Sequence, residues 1–126
     1  MISKQIIARN ASCNAIVGLL DIGSTYPSGH LSIYDSSSNL IFWHPLSNPA
    51  FGSAIDGTSI SGIIFDTTAL IDSTANYFSF DNCDGTSIWT GDVGLPNSSA
   101  SLWLESLYIS ADSTDSITSA VFVVPA

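Results

Sequence analysis

Residues 30–44, HLSIYDSSSNLIFWH, decide the fold class. Two short runs rich in branched and aromatic side chains flank Asp35-Ser36-Ser37-Ser38-Asn39. Asp, Ser and Asn bond their own backbone and tolerate tight turns, so such a cluster between two β-prone runs predicts a hairpin. The pattern recurs in residues 75–93, ANYFSFDNCDGTSIWTGDV, where Asp81-Asn82-Cys83-Asp84-Gly85 joins 75–80 to 86–93 and Gly85 is free to adopt a positive φ. Working outward, 58–65, 101–110 and 116–124 read as further strands. With 30–34, 40–44, 75–80 and 86–93 these make seven runs and predict a mainly β chain, an antiparallel β-sandwich of about seven strands. Pro45 and Pro49 lack a backbone donor, which keeps 45–57 out of any central strand and makes it the longest expected loop.

Upstream the periodicity changes. Ser3 is placed to cap one N-terminal α-helix over 3–21, with Ile6, Ile7, Cys13, Ile16, Val17 and Leu20 near the spacing of a single apolar face and Gly23 as the stop. Residues 22–29 link helix to sheet. A chain of 126 residues has room for a single domain, 1–126, with the helix at 3–21 and the sandwich at 30–124. Alternation puts Phe78 and Phe80 on one face and Tyr77 and Ser79 on the other. The last run reads as apolar on both faces, with Ile117, Val121 and Val123 opposing Thr118, Ala120, Phe122 and Val124. One face should line the core. The helix is expected to cover the other, and a neighbouring subunit is the alternative cover.

Composition narrows the function. Ser and Thr number 23 and 9, about a quarter of the residues, while charged residues are only 10%. The surface is therefore mostly hydroxyl and amide. Lys4 and Arg9 are the only basic residues, so from Asn10 onward the chain has 11 carboxylates and no Lys or Arg. DNA affinity comes from Lys and Arg displacing counterions, so nucleic-acid binding is not expected. The same deficit argues against docking on anionic membranes. No run approaches the roughly 18–20 apolar residues of a membrane span. Arg9, Asn10, Ser12 and Asn14 interrupt any signal-peptide core, so the N-terminus reads as mature structure. Cys13 and Cys83 read as two buried reduced thiols, with a single bridge as the alternative.

Reactive constellations are sparse. Only His30 and His44 could serve as the base of a hydrolytic triad, and no G-x-S-x-G elbow surrounds any serine. Glu105 is the only glutamate, and no Asp pair stands out by spacing for glycoside cleavage. Residues 81–85 resemble a calcium loop superficially but lack the later bidentate acid of an EF-hand, so a hairpin turn explains them. The histidines and cysteines lack the close-spaced pairs of structural zinc. No catalytic residue, metal or cofactor is predicted. Trp43, Trp89 and Trp103 fall in expected strands, where they fill a core or subunit contact or, if exposed and coplanar, form a stacking platform for sugar rings.

Two stretches carry a family likeness: ARNASCNAIVGLLDIG from Ala8, and residues 46–94, which open with LSNPAFG and close with TGDVG. They resemble small virion proteins of tailed bacteriophages, encoded near capsid genes, which share an A-R-N-A-x-x-[ND]-A helix, an N-P-A-F-G loop, and an aromatic strand before a D-G hairpin with a D-G-x-V-G-like ending. Arg9, Asn10, Ala11 and Ala15 match the first motif and Asn48, Pro49, Ala50, Phe51 and Gly52 the second. In the third region Asp84 and Gly85 are followed by Gly91, Asp92, Val93 and Gly94, a G-D-V-G where relatives often show D-G-x-V-G. The resemblance implies a capsid decoration, or cement, protein that binds the major capsid protein on the outer surface of the shell. It would form a homo-oligomer and be assembled in the host cytoplasm. Lys4, Arg9, Asn48, Pro49 and Phe51 are the candidate capsid or subunit contacts. A head-fibre or tail component, or a carbohydrate-binding module using exposed tryptophans, is the alternative.

Overall fold

In a computed structural model, residues 6–115, 117 and 121–123 are described. The chain is mainly β with one N-terminal helix. Helix α1 (Ile6–Gly18) tightens into a 3-10 turn over Leu19–Asp21 and ends at Ile22, whose N–H bonds Leu19 O. Strand β1 (His30–Tyr34) pairs antiparallel with β2 (Leu40–Pro45) as the first hairpin, and β6 (Tyr77–Asp81) pairs with β7 (Ser87–Gly94) as the second. β1 and β6 then join the hairpins edge to edge, with His30 opposite Asp81 and Ser32 opposite Ser79. Adding β8 (Leu102–Trp103) gives a five-stranded sheet in the order β2-β1-β6-β7-β8. Gly85 has φ +81° in its turn, as expected.

Outside that sheet, two of the expected long strands are split, each for the same reason. The run 58–65 changes partner midway. β3 (Thr58–Ile60) pairs with β11 (Val121–Val123), whereas Ile63 and Phe65 bond Ser47 and Pro45 at the end of β2. The run 101–110 does likewise. β8 lies parallel to β7, which departs from the all-antiparallel expectation, and β9 (Tyr108–Ile109) pairs with β5 (Ser73–Thr74). β4 (Thr67–Thr68) and β10 (Thr114–Asp115) form a third two-stranded ribbon. Such two-residue hydroxyl strands carry no readable period. Of the expected strand 116–124, residues 116, 118–120 and 124 lie outside the described residues, as do Ser3 and Lys4 of the expected helix.

The core lies on one face of the five-stranded sheet. Leu31, Ile33, Phe42, Phe78 and Phe80 are buried there, with Phe51, Trp89 and Phe122 packed against them. Gly91 sits opposite Phe78 because its missing Cβ makes room for the ring, whose atoms would lie 2.6 Å from an added carbon. The helix contributes Cys13, Val17 and Leu20, the i, i+4, i+7 stripe. Ile6 extends that stripe two turns earlier but is 46% exposed, and Ile7 is 84% exposed, so the buried face is shorter than the sequence pattern suggests.

Candidate functional site

The polar side chains of the helix face the long loop. Asn10, Asn14 and Asp21 fall on one side at i, i+4 and i+11. Asn10 Oδ1 accepts the N–H of Gly57 at 2.7 Å, Asn14 Oδ1 that of Ala54 at 2.8 Å, and Asp21 Oδ1 that of Ala50 at 2.9 Å. The Arg9 guanidinium lies against Gly57, where φ is +75° and an added Cβ would come within 2.8 Å of it. Isolated bridges such as Leu46–Ile64 and Phe51–Ser61 pair only part of the loop, which leaves backbone donors to satisfy, and this helix satisfies three of them. Helix and loop, 29 to 47 residues apart in sequence at these bonds, therefore meet as one latch.

The candidate contact residues divide accordingly. Phe51 points inward onto Phe80 and Trp89, with ring centroids 5.6 and 5.8 Å away, and is unavailable to a partner. Arg9 is half-buried against the loop. Asn48 and Pro49 are exposed, joined by a cis peptide, and Asn48 Nδ2 donates to Pro27 O. Lys4 lies outside the described residues.

On the other face of the central sheet, small polar residues are buried under rings. Asp81 accepts hydrogen bonds from Ser32 Oγ and Ser79 Oγ, both at 2.6 Å, and Ser87 Oγ extends the chain. His30 stacks on Trp43 at 3.7 Å and 6°, with the edge of Tyr26 against both, and Tyr34 stacks on Tyr77. Burial pushes the His30 imidazole below its ordinary value, against the opposing pull of Asp81, and its Nδ1 has no hydrogen-bond partner. Ser, His and Asp thus share one face, but both serines donate to the carboxylate, where a hydrolytic triad would have one donate to the imidazole. That arrangement fixes hydroxyls in place and does not activate them. His44, on the core face, contacts Phe65 O through Nδ1.

The remaining candidates are occupied structurally. Asp84 accepts from the N–H of Ser24 and Thr25 and from Thr25 Oγ1, which lowers its carboxyl pKa and ties the 22–29 linker to the second hairpin. No group of three or more metal-ligating side chains occurs among the described residues. Cys13 and Cys83 are buried and free, their thiols facing Phe122 O and Leu20 O, and burial raises both pKa values. The three tryptophans do not gather. Trp43 is at one edge of the sheet, Trp89 packs on Phe80 and Phe122 in the core, and Trp103 is 49% exposed at the opposite edge. No helix among the described residues is long and apolar enough to cross a membrane.

One surface stands out by what it lacks. In the β3–β11 ribbon Ser59 and Phe122 face inward, so Ile60, Val121 and Val123 face out and are 59%, 57% and 54% exposed. Ile55, bridged to Thr58 across a tight turn, adds a third row and is 73% exposed. The helix does not cover this face, contrary to expectation. It meets β11 at its edge, where the Cys13 thiol donates to Phe122 O, because its polar side is committed to the loop. The result is an apolar platform made of a two-stranded ribbon and the bridged Ile55, with no carboxylate among Ile55, Thr58, Ile60, Val121 and Val123. No protein family, curated protein or solved structure matches this chain.

Proposed function

We propose that this chain is a structural component of a tailed-phage virion, a decoration or cement protein that adheres to the outer surface of the capsid and performs no catalysis. The carrying observation is the platform of Ile55, Ile60, Val121 and Val123, four exposed apolar residues grouped on one ribbon and its adjoining turn. Apolar patches of this kind mark adhesion surfaces. Adhesion repeated over a lattice of identical sites needs only weak individual contacts, because avidity multiplies them. An acidic body is repelled by packaged DNA, which favours the outside of the shell. In the same reading the fold is a sandwich. The five-stranded sheet is one layer, and the β3–β11 ribbon with α1 is the layer over its core face.

The test is reconstitution. Particles lacking the protein, mixed with purified chain, should bind it to a fixed copy number per shell and release their DNA at a higher temperature than bare particles. Absence of saturable binding to shells, with the chain recovered on tails or on no particle, sinks the capsid reading. The sugar-binding alternative predicts tryptophan-fluorescence quenching by glycans, which the dispersed tryptophans disfavour.

A further inference from the structure

Beyond the platform, we infer that the chain carries a second site, a cavity of about 290 Å³ that binds an alkylammonium group, the charged end of a small amine or of a lysine side chain. Strand β9, the turn over 110–113 and β10 border it, and Phe42 of β2 and Ile109, both buried, supply its apolar lining. The walls are fixed before any ligand arrives. Asp72 Oδ1 accepts the N–H of Ala111 at 2.6 Å, Ala69 O accepts that of Asp112 at 2.9 Å, and Ser113 bonds Ser110 O through both its N–H and its Oγ. These bonds spend the N–H groups of 111–113, the donors that a turn would otherwise offer an anion.

One charged group lines the cavity. Glu105, the only glutamate of the chain, has an exposed side chain whose carboxylate accepts no hydrogen bond from the described residues. Asp21, Asp35, Asp72, Asp81, Asp84 and Asp92 differ, since each accepts bonds that tie segments of the fold together. An unpaired carboxylate at an apolar-lined cavity attracts a cation. A bare metal ion takes several oxygen ligands, and no group of three or more metal-ligating side chains occurs among the described residues, so the single carboxylate does not hold one. An alkylammonium fits on three counts. Its charge pairs with Glu105. Its N–H donors meet hydroxyl oxygens: Ser106 and Ser113 each give their proton to a backbone carbonyl, Tyr108 O and Ser110 O, so toward a ligand both oxygens can only accept. Its stem lies on Phe42 and Ile109, and Tyr108, 64% exposed, offers a ring for cation–π contact. A neutral saccharide would leave the carboxylate uncompensated.

The experiment is a heteronuclear NMR titration of the full chain with n-butylammonium at neutral pH and constant ionic strength. Amide shifts confined to the cavity lining should saturate with a Kd on the order of 1 mM, the weak affinity that one exposed ion pair allows. Sodium, n-butanol and glucose should give no saturable shift. Glu105→Gln should weaken butylammonium binding about fivefold, and Tyr108→Leu about two- to fivefold. Asp56→Asn removes the same charge from an exposed turn outside the cavity and should leave binding unchanged. Unchanged amide spectra away from 105–114 establish that the two cavity variants fold. Shifts spread evenly over the acidic turns, equal binding of butanol or glucose, or affinity that survives Glu105→Gln overturns the site. Nα-acetyl-lysine amide separates the two sources of the ammonium group. Binding equal to that of butylammonium shows that the cavity takes a lysine side chain of a protein partner, and binding of the free amine alone assigns it to a small molecule. Shell binding is read separately. A chain that binds amine and leaves shells bare keeps the cavity without the virion role, and a chain that decorates shells without binding amine does the reverse.

Discussion

The two faces of the central sheet are built from the same strands and hold together by different means. On one face Leu31, Ile33, Phe78 and Phe80 exclude water with apolar area and ring packing. On the other, displaced by one residue along each strand, His30, Ser32, Ser79 and Asp81 are equally buried but polar: hydrogen bonds to the Asp81 carboxylate hold Ser32 and Ser79, and His30 is held by stacking on Trp43. Apolar contact tolerates small shifts, since area is lost gradually. A buried polar network does not, because each missing partner leaves a desolvated group. The core face should set how stable the fold is, and the polar face how closely β1 and β6 keep their register.

The largest effect should come from the core face. Phe80 is 2% exposed and meets Phe51, Phe78 and Trp89, so Phe80→Ala should cost about 3–5 kcal/mol in urea unfolding. Asp81→Ala removes the acceptor shared by Ser32 and Ser79 and should cost about 1–3 kcal/mol. The two differ in hydrogen exchange. Asp81→Ala should lower amide protection along β1 and β6 beyond its effect on global stability, and Phe80→Ala should lower protection throughout. Equal, uniform loss from both would erase the distinction between the faces.

How much of this was legible in the sequence follows the same divide. Both hairpins were readable, since alternation and turn chemistry are local: Asp35 accepts the N–H of Ser37 and Asn39 within its own turn, and Gly85 adopts the positive φ its position requires. The splitting of 58–65 and 101–110 was not, because nothing in Ser61-Gly62-Ile63 or Leu104-Glu105-Ser106 says which neighbour each half will meet. The latch was not legible, because which loop backbone Asn10 and Asn14 of the helix satisfy is a tertiary fact. Phe51 packs on Phe80 and Trp89, and its aromatic size is the sequence signal for that burial. The platform had one sequence signal, apolar residues on both faces of the last strand, which allowed either cover.

A smaller effect separates the latch from both faces. Asn14→Ala leaves the Ala54 N–H without its acceptor at a partly wet site, where water replaces much of the bond, so a cost of about 1 kcal/mol is expected. Proteolysis should detect it better than unfolding does. Cleavage within 50–57 should rise several-fold while the central sheet stays resistant. If cleavage is unchanged, the helix does not hold the loop.

The smallest effect is graded and comes from acid. Asp35 accepts from Asn39 N–H, Ser73 Oγ, Asn39 Nδ2 and Ser37 N–H, and these bonds hold its carboxyl at about 2, below the ordinary 3.8. A carboxylate with a depressed native value takes up protons more readily unfolded, so the stability it contributes is intact above about 4 and is lost as pH falls toward 2. His30 adds an earlier stage of the same sign. Its native value lies below 6.5, so the unfolded chain binds the proton first and stability begins to decline as pH drops below that point. Urea midpoints measured from pH 7 downward should fall in two steps. Asp35→Asn should shrink the lower step without abolishing it, since Asp84 and Asp92 are depressed as well, and His30→Gln should remove the upper one. Both groups lie on or beside the polar face. A Phe80→Ala background should therefore displace the whole curve downward and leave both steps in place. If instead the steps vanish along with the core ring, the two faces are not independent, and the polar network exists only because the apolar side holds the strands in register.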